Sequence, residues 1–293
     1  MDQMAYERGT KRLLVTCKKI DDFFIDTIAY RFKKENWVVE VVNSFSEARN
    51  RLEDDVRTVV IIDSSFANSE ALLEHIKCDK LLSIMPVIQL LGSDADPLMQ
   101  FRFDGTEQFA EPFEVSEVFK AADRMEQEAP RKKVGGKHEV LFSLPTMPRF
   151  VDYANELIVR MLANTRMDPD PQEKFAIAFV EALTNAANHG NQGKSDNYIN
   201  VRWAMDMRRV EITISDMGVG FDWKAQINPE RARMEFSTDR ITRSRGGMGM
   251  LMMFKYADEV DYSEFGNEVT LTKFIDPEES HIASRRFRAR ILK

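Results

Sequence analysis

The stretch Phe175–Asn191, FAIAFVEALTNAANHGN, constrains this chain most, because it sets two polar residues of a particular kind on one side of an otherwise apolar helix. Glu181 and Asn185 are four residues apart, so on a helix their side chains stack on the same face, one turn apart. Asn188 falls on that face too, while Phe175, Ala178, Phe179, Ala182 and Ala186 supply the apolar remainder. A carboxamide oxygen is a hard ligand suited to Mg²⁺, and a carboxylate can orient or deprotonate a nucleophile. The same spacing also describes a solvated helix face, so two further stretches have to decide.

Val210–Phe221, VEITISDMGVGF, reads as a strand with Val210, Ile212 and Ile214 alternating inward, broken by Asp216, Gly218 and Gly220. A carboxylate at a strand end can accept a hydrogen bond from an exocyclic amine, and paired glycines let backbone approach a flat ring. Arg245–Leu251, RGGMGML, places Gly246, Gly247 and Gly249 just before an apolar helical run. Free backbone N–H groups at such a helix start can cradle phosphates.

In this order the three stretches resemble the GHKL ATPase superfamily, which includes gyrase and the histidine kinases, over about Lys137 to Ile275. Within it the wording EALTNAANHG, the ISDMGVGFD and RGGMGMLMM boxes and the ending ADEVDYSEFGNEVTLTK are most similar to the anti-sigma-factor serine kinases. The resemblance implies an α+β Bergerat-type ATP-binding sandwich with ATP and Mg²⁺ as cofactors. Glu181 would be the base toward a partner's Ser or Thr hydroxyl, Asn185 the Mg²⁺ ligand and Asp216 the adenine reader. Asn188 joins them on the nucleotide side, Gly218 and Gly220 shape the base pocket, and Arg245, Gly246, Gly247 and Gly249 lie at the phosphates. Asn267 stands where the family usually has Thr in a Gly-Thr pair, and an amide can still donate and accept there. The implied partners are a STAS-type anti-anti-sigma protein and a sigma factor.

The 293 residues allow two ordinary domains, and 43% hydrophobic with 30% charged residues is a globular composition. A net charge of −7 argues against direct nucleic-acid binding, which needs a basic footprint. No apolar run approaches the ~20 residues that span a bilayer, and the start MDQMAYERGTKR has no signal-peptide core; the expectation is a cytoplasmic protein without membrane contact. Cys17 and Cys78 fit reduced cytosolic thiols rather than a disulfide.

From Lys11 to about Glu126 the runs RLLVTC, WVVEVV, TVVIID, MPVIQLL and EQFA alternate with amphipathic stretches, which predicts an α/β doubly wound parallel sheet. Asp63 ends the third run and Glu111-Pro112-Phe113 follows the fifth, so this part resembles the receiver domain of response regulators. Receivers carry an acidic pair after the first strand, where this chain reads Thr16, Cys17, Lys18. Their lysine position is Glu111, and their hydroxyl position is Leu91 or Gly92. Asp63 is thus the candidate phosphorylation site, but without the groups that hold Mg²⁺ and the phosphoryl oxygens the reading is a pseudo-receiver. Such a scaffold would serve docking or dimerisation, including a homodimer. The resemblance further implies a cis Glu111-Pro112 bond; with the Glu111 carboxylate then near Asp63, Lys18 is expected to turn into the former acidic pocket and offset the two negative charges.

The expected organisation is a pseudo-receiver domain at 1–126, a linker at 127–137 (QEAPRKKVGGK), a GHKL domain at 138–276 and a basic tail at 277–293. Asp222–Ser244 occupies the place of a mobile lid and brings Lys224, Arg231, Arg233, Arg240 and Arg243. Two other functions stay open. A non-catalytic, ATP-bound module could sequester a partner, and a sensor histidine kinase would need a helical hairpin with a phosphoacceptor His, for which the short linker leaves no room.

Overall fold

Five short apolar runs in the first part of the chain form a parallel sheet: β1 (Arg12–Thr16), β2 (Val38–Val42), β3 (Thr58–Asp63), β4 (Val87–Leu91) and β5 (Thr106–Ala110). The computed structural model describes residues 10–20, 22–54, 58–96, 99–129, 137–226, 232, 236 and 248–292. The chain divides into two units, 1–135 and 136–293. In the first, the strands lie in the order β2-β1-β3-β4-β5, the doubly wound arrangement of flavodoxin-like folds. Register is set with Leu14 opposite Glu40 on one side and Val60 on the other.

Helices α1 (Phe23–Lys34), α2 (Phe45–Asp54), α3 (Ser69–Cys78) and α4 (Val115–Glu128) follow the amphipathic stretches read from the sequence. Helix α1 shows why. The Asp22 carboxylate accepts from the Phe24 and Ile25 N–H groups at its start, Arg31, Lys33 and Lys34 complement the dipole at its end, and Ile25, Ile28, Ala29 and Phe32 form the buried stripe. Ile25, Ile28 and Phe32 pack with Leu13, Val15, Val59, Ile61 and Val118 in one core. Lys77 is a buried cation that the sequence did not announce. It donates to the Met85 and Gly105 carbonyls at 2.8 and 2.9 Å, and burial lowers its pKa to about 8.

At the carboxyl ends of these strands the receiver landmarks have separate fates. Asp63 accepts from the Ser65 N–H at 2.7 Å in a local turn. Thr16 and Cys17 are buried, and the Cys17 thiol is pushed up by burial first and then by Asp63, Asp22 and Asp26. The Glu111-Pro112 bond is cis, as expected. Lys18 is exposed and forms no ion pair with Asp63 or Glu111, contrary to expectation. An ammonium is better hydrated in open solvent than beside a half-buried strand end.

The second unit opens with β6 (His138–Pro145), α5 (Pro148–Ala163), α6 (Pro169–Asn185) and a π-helical turn at Ala186–Gly190. It continues with β7 (Tyr198–Met205), β8 (Arg209–Ser215), α7 (Met248–Tyr256), β9 (Glu259–Tyr262), β10 (Glu268–Phe274) and α8 (Pro277–Ile291). The strands form an antiparallel sheet in the order β9-β10-β8-β7-β6, against which α6 packs, the α+β sandwich expected of a GHKL domain. In central β8 the residues Val210, Ile212 and Ile214 are buried, as their alternation predicts.

Helix α8 occupies most of the segment expected as a tail. Asp276 caps it by accepting from the Glu278 and Glu279 N–H groups, Pro277 fits the first turn, and Ala283 and Phe287 are buried. Fully buried Asp258 accepts from Lys273 Nζ, the Phe274 N–H and the Ser280 and Ser284 hydroxyls, two of which belong to α8. A buried carboxylate met by four donors is a strong tether. Of the basic side chains that suggested a tail, Arg285, Arg286 and Arg290 are exposed on this helix, while half-buried Arg288 donates to the Lys255 carbonyl at 2.7 Å. At the other boundary α4 runs through Glu128, and residues 130–136 of the expected linker lie outside the described residues.

Candidate nucleotide site

Helix α6 begins at the Asp168-Pro169 junction and buries Phe175, Ala178, Phe179 and Ala182 against α5 and α7. That fixes its opposite face, and Glu181 and Asn185 both line a cavity of about 530 Å³ beside it. The volume is in the range of small-molecule sites. Glu181 has no hydrogen-bond or ion-pair partner among the described residues, and burial raises its pKa.

The expected third member of that face is displaced. After Asn185 the helix widens into the π-helical turn, closed by the Asn191 N–H donating to the Ala186 carbonyl at 2.8 Å. A π turn takes more residues per revolution than an α turn, so every later position is rotated. His189 and Gly190 therefore line the cavity, and Asn188 is exposed and does not. The α-helical spacing that selected Asn188 ends at Asn185, before it reaches that position. A π turn has no marker in a single sequence, but Gly190, its last residue, was in view.

Asp216, at the end of β8, also lines the cavity. Its Oδ1 accepts from the Gly218 N–H at 2.8 Å and its own N–H donates to the Asn267 carbonyl at 3.0 Å. Burial raises its pKa, with the Gly218 bond opposing. The glycines also serve a purpose that the sequence did not announce. A β-carbon on Gly218 would lie 2.5 Å from the Gly190 carbonyl oxygen, and one on Gly220, whose φ is +76°, 1.8 Å from that of Phe265. They let protein backbones meet each other, and Phe221 N–H to Phe265 O at 2.9 Å ties the two loops together. Gly220 still borders the cavity; Gly218 does not.

Asn267 lines the cavity, and its Oδ1 accepts from the Ser263 hydroxyl at 3.2 Å. Gly249, in the first turn of α7, lines it from the other side with Met250. Arg245, Gly246 and Gly247 lie outside the described residues, as do Arg231, Arg233, Arg240 and Arg243 of the lid segment. Lys224 is described and exposed, 5.5 Å from the centre of the Trp223 ring. Tyr262, stacked on Trp223 at 5.3 Å, adds an aromatic wall that the sequence reading missed, and burial pushes its phenol up. Its signal was present as an aromatic in the final strand pair.

Among the described residues no cluster of three or more His, Cys, Asp or Glu could hold a metal by itself. Mg²⁺ bound with a nucleotide takes most of its oxygens from phosphates and water. One carboxamide oxygen from Asn185, one turn from the Glu181 carboxylate, fits that requirement.

Residues 144–273 match a family model described as histidine kinase-like ATPase domain. The chain is 27% identical over 144 residues to the anti-sigma F factors of Bacillus thuringiensis (strain Al Hakam) and Bacillus mycoides (strain KBAB4), covering 47% of this chain and 94% of each relative. Among solved structures, a response regulator from Chloroflexus aurantiacus J-10-fl is 16% identical with a TM-score of 0.36, covering 41% of this chain and all of that one. The receiver domain of a sensor histidine kinase from Pseudomonas aeruginosa PAO1 is 14% identical with a TM-score of 0.33, again covering 41% and 100%. The fold of the first unit stands on its own strand order. No described helix is long and apolar enough to cross a membrane.

Proposed function

Given that residues 144–273 form a histidine kinase-like ATPase domain of the GHKL type, we propose that the chain is a cytoplasmic protein kinase that transfers the γ-phosphoryl group of ATP to a Ser or Thr of a STAS-type anti-anti-sigma partner, and so governs a sigma factor. The likeness to anti-sigma F factors supports the partner classes. The observation that carries the chemistry is Glu181, a carboxylate without any protein partner among the described residues, facing the cavity one turn from Asn185.

Asp216 accepts from the adenine amine, and Asn267 stands beside it on the same wall. Asn185 would hold Mg²⁺ together with the phosphates, and the ion supplies neutralisation of phosphate charge. Gly249 borders the phosphate side, where Arg245, Gly246 and Gly247 complete the sequence box. Glu181 takes the proton of the partner's hydroxyl as the phosphoryl group passes to it. Its pKa, raised by burial, makes it a stronger base than an exposed glutamate. The first unit, whose phosphoryl-holding groups are missing, acts as a docking scaffold in this reading.

The alternative, a module that binds ATP only to sequester a partner, gives Glu181 nothing to do. Incubation of the full chain with labelled ATP and STAS-type proteins tests the two. Label on the partner, lost in Glu181→Ala with ATP affinity kept, supports the kinase. ATP binding with no transfer to any such partner supports the sequestering module.

A further inference from the structure

We propose that Asn191 is the positioning residue that sets the Asp216 carboxylate against the Glu181 helix, so that the base specificity of the site depends on a side chain outside the cavity. The inference rests on the nucleotide reading above. Asn191 is 1% exposed and closes the π-helical turn with its own N–H. Its side chain makes three bonds: Nδ2 donates to Thr146 Oγ1 at 2.7 Å and to the Tyr198 carbonyl at 2.9 Å, and Oδ1 accepts from the Met217 N–H at 2.8 Å. A carbonyl can only accept and an N–H can only donate, so the amide has a single orientation.

These bonds run to three places: the residue after β6, the first residue of β7 and the loop after β8. Met217 directly follows Asp216, so the loop is held from two sides. The Asn267 carbonyl takes the Asp216 N–H, and Asn191, at the end of the Glu181 helix, takes the Met217 N–H. The fit between helix and carboxylate is close, since a β-carbon on Gly190 would lie 2.2 Å from Asp216 Cγ. Asn191 itself does not line the cavity. It acts through Asp216, and its loss would take from the Met217 N–H the acceptor that ties the Asp216 loop to the helix.

The test compares the full wild-type chain with Asn191→Ala in titrations with ATP, inosine triphosphate and inorganic tripolyphosphate, all with Mg²⁺. Inosine carries an oxygen where adenine has its amine, so the ATP-to-inosine triphosphate affinity ratio reports the placement of Asp216. The expected result is a loss of at least tenfold in ATP affinity, collapse of that ratio toward one, and tripolyphosphate affinity within twofold of wild type. An equal loss for ATP and tripolyphosphate would mean that Asn191 only maintains the fold, and an unchanged ratio would overturn the proposal. If Asn191→Ala does not fold, Thr146→Val serves, since it removes one partner of Asn191 at nearly constant volume. A ratio lowered about threefold is then expected, and an unchanged one overturns the proposal. Wild-type protein that binds no ATP would instead overturn the nucleotide reading itself.

Discussion

A β-carbon added to Gly249 would lie 2.6 Å from Glu181 Oε2 and 3.5 Å from Asn185 Nδ2, so the glycine at the start of α7 is what leaves room for the two polar groups of α6. The clash is with the tip of a flexible side chain, which can swing aside. Gly249→Ala should therefore fold, and helix propensity favours it by up to about 1 kcal/mol. The Glu181 carboxylate would move by about 1 Å, a displacement that can cost on the order of 100-fold in rate. The expected outcome is phosphoryl transfer reduced tenfold to a hundredfold with an unchanged or raised melting temperature. Wild-type turnover in this variant would show that the carboxylate position is unimportant.

The Gly218 N–H bond to Asp216 Oδ1 sharpens what Asp216→Asn would do. The amide oxygen would stay with the Gly218 donor, and its NH₂ would face the adenine amine, donor against donor. Loss of a buried acceptor costs about 1–3 kcal/mol, so ATP affinity should fall roughly fivefold to 150-fold by calorimetry. Unchanged affinity would remove Asp216 from base recognition.

Burial raises the pKa of Glu181, and the sign of its effect on stability differs from that on rate. A carboxylate whose folded pKa lies above its unfolded value binds protons better in the native state. Its contribution to stability is fully present below the unfolded pKa and is lost as pH rises through the folded one. Transfer, which needs the ionised base, should rise over the same interval. Glu181→Gln should therefore abolish transfer and, near neutral pH, raise the melting temperature of the nucleotide-free protein. A lowered melting temperature for this variant at neutral pH would mean that the ionised carboxylate is stabilising.

How much of this was legible follows from the range over which each pattern acts. The alternation of Val210, Ile212 and Ile214 sets its strand locally and appears as read, and the buried stripe of Ile25, Ile28, Ala29 and Phe32 belongs to a stretch whose amphipathic spacing is just as local. Asn188 failed because a π turn depends on how the end of α6 meets β7 and the Asp216 loop, which a periodicity cannot express. Gly218 and Gly220 stood out in the sequence, but the carbonyl each one accommodates did not, because it is far away in sequence. Asn191 was invisible for the same reason, its three partners lying 45, 7 and 26 residues away. Helix α8 was hidden by charge. Its buried side is thin, and the hub that holds it, Asp258, looks like any surface aspartate in the sequence.

Asp63 should take no phosphate from acetyl phosphate. Its carboxylate is engaged by the Ser65 N–H, and the nearby Asp22 is spent capping α1. The positions that should supply a metal and partners for the phosphoryl oxygens hold buried Thr16 and Cys17, exposed Lys18 and exposed Glu111. Asp63, Asp22 and Asp26 all push the Cys17 thiol up, so the field at this strand end is negative and opposes a dianion. With Mg²⁺ and excess acetyl phosphate, intact-mass measurement should show the unmodified chain, and Asp63→Ala should behave like wild type. One hydroxylamine-sensitive phosphoryl group per chain, absent in Asp63→Ala, would make the first unit a working receiver.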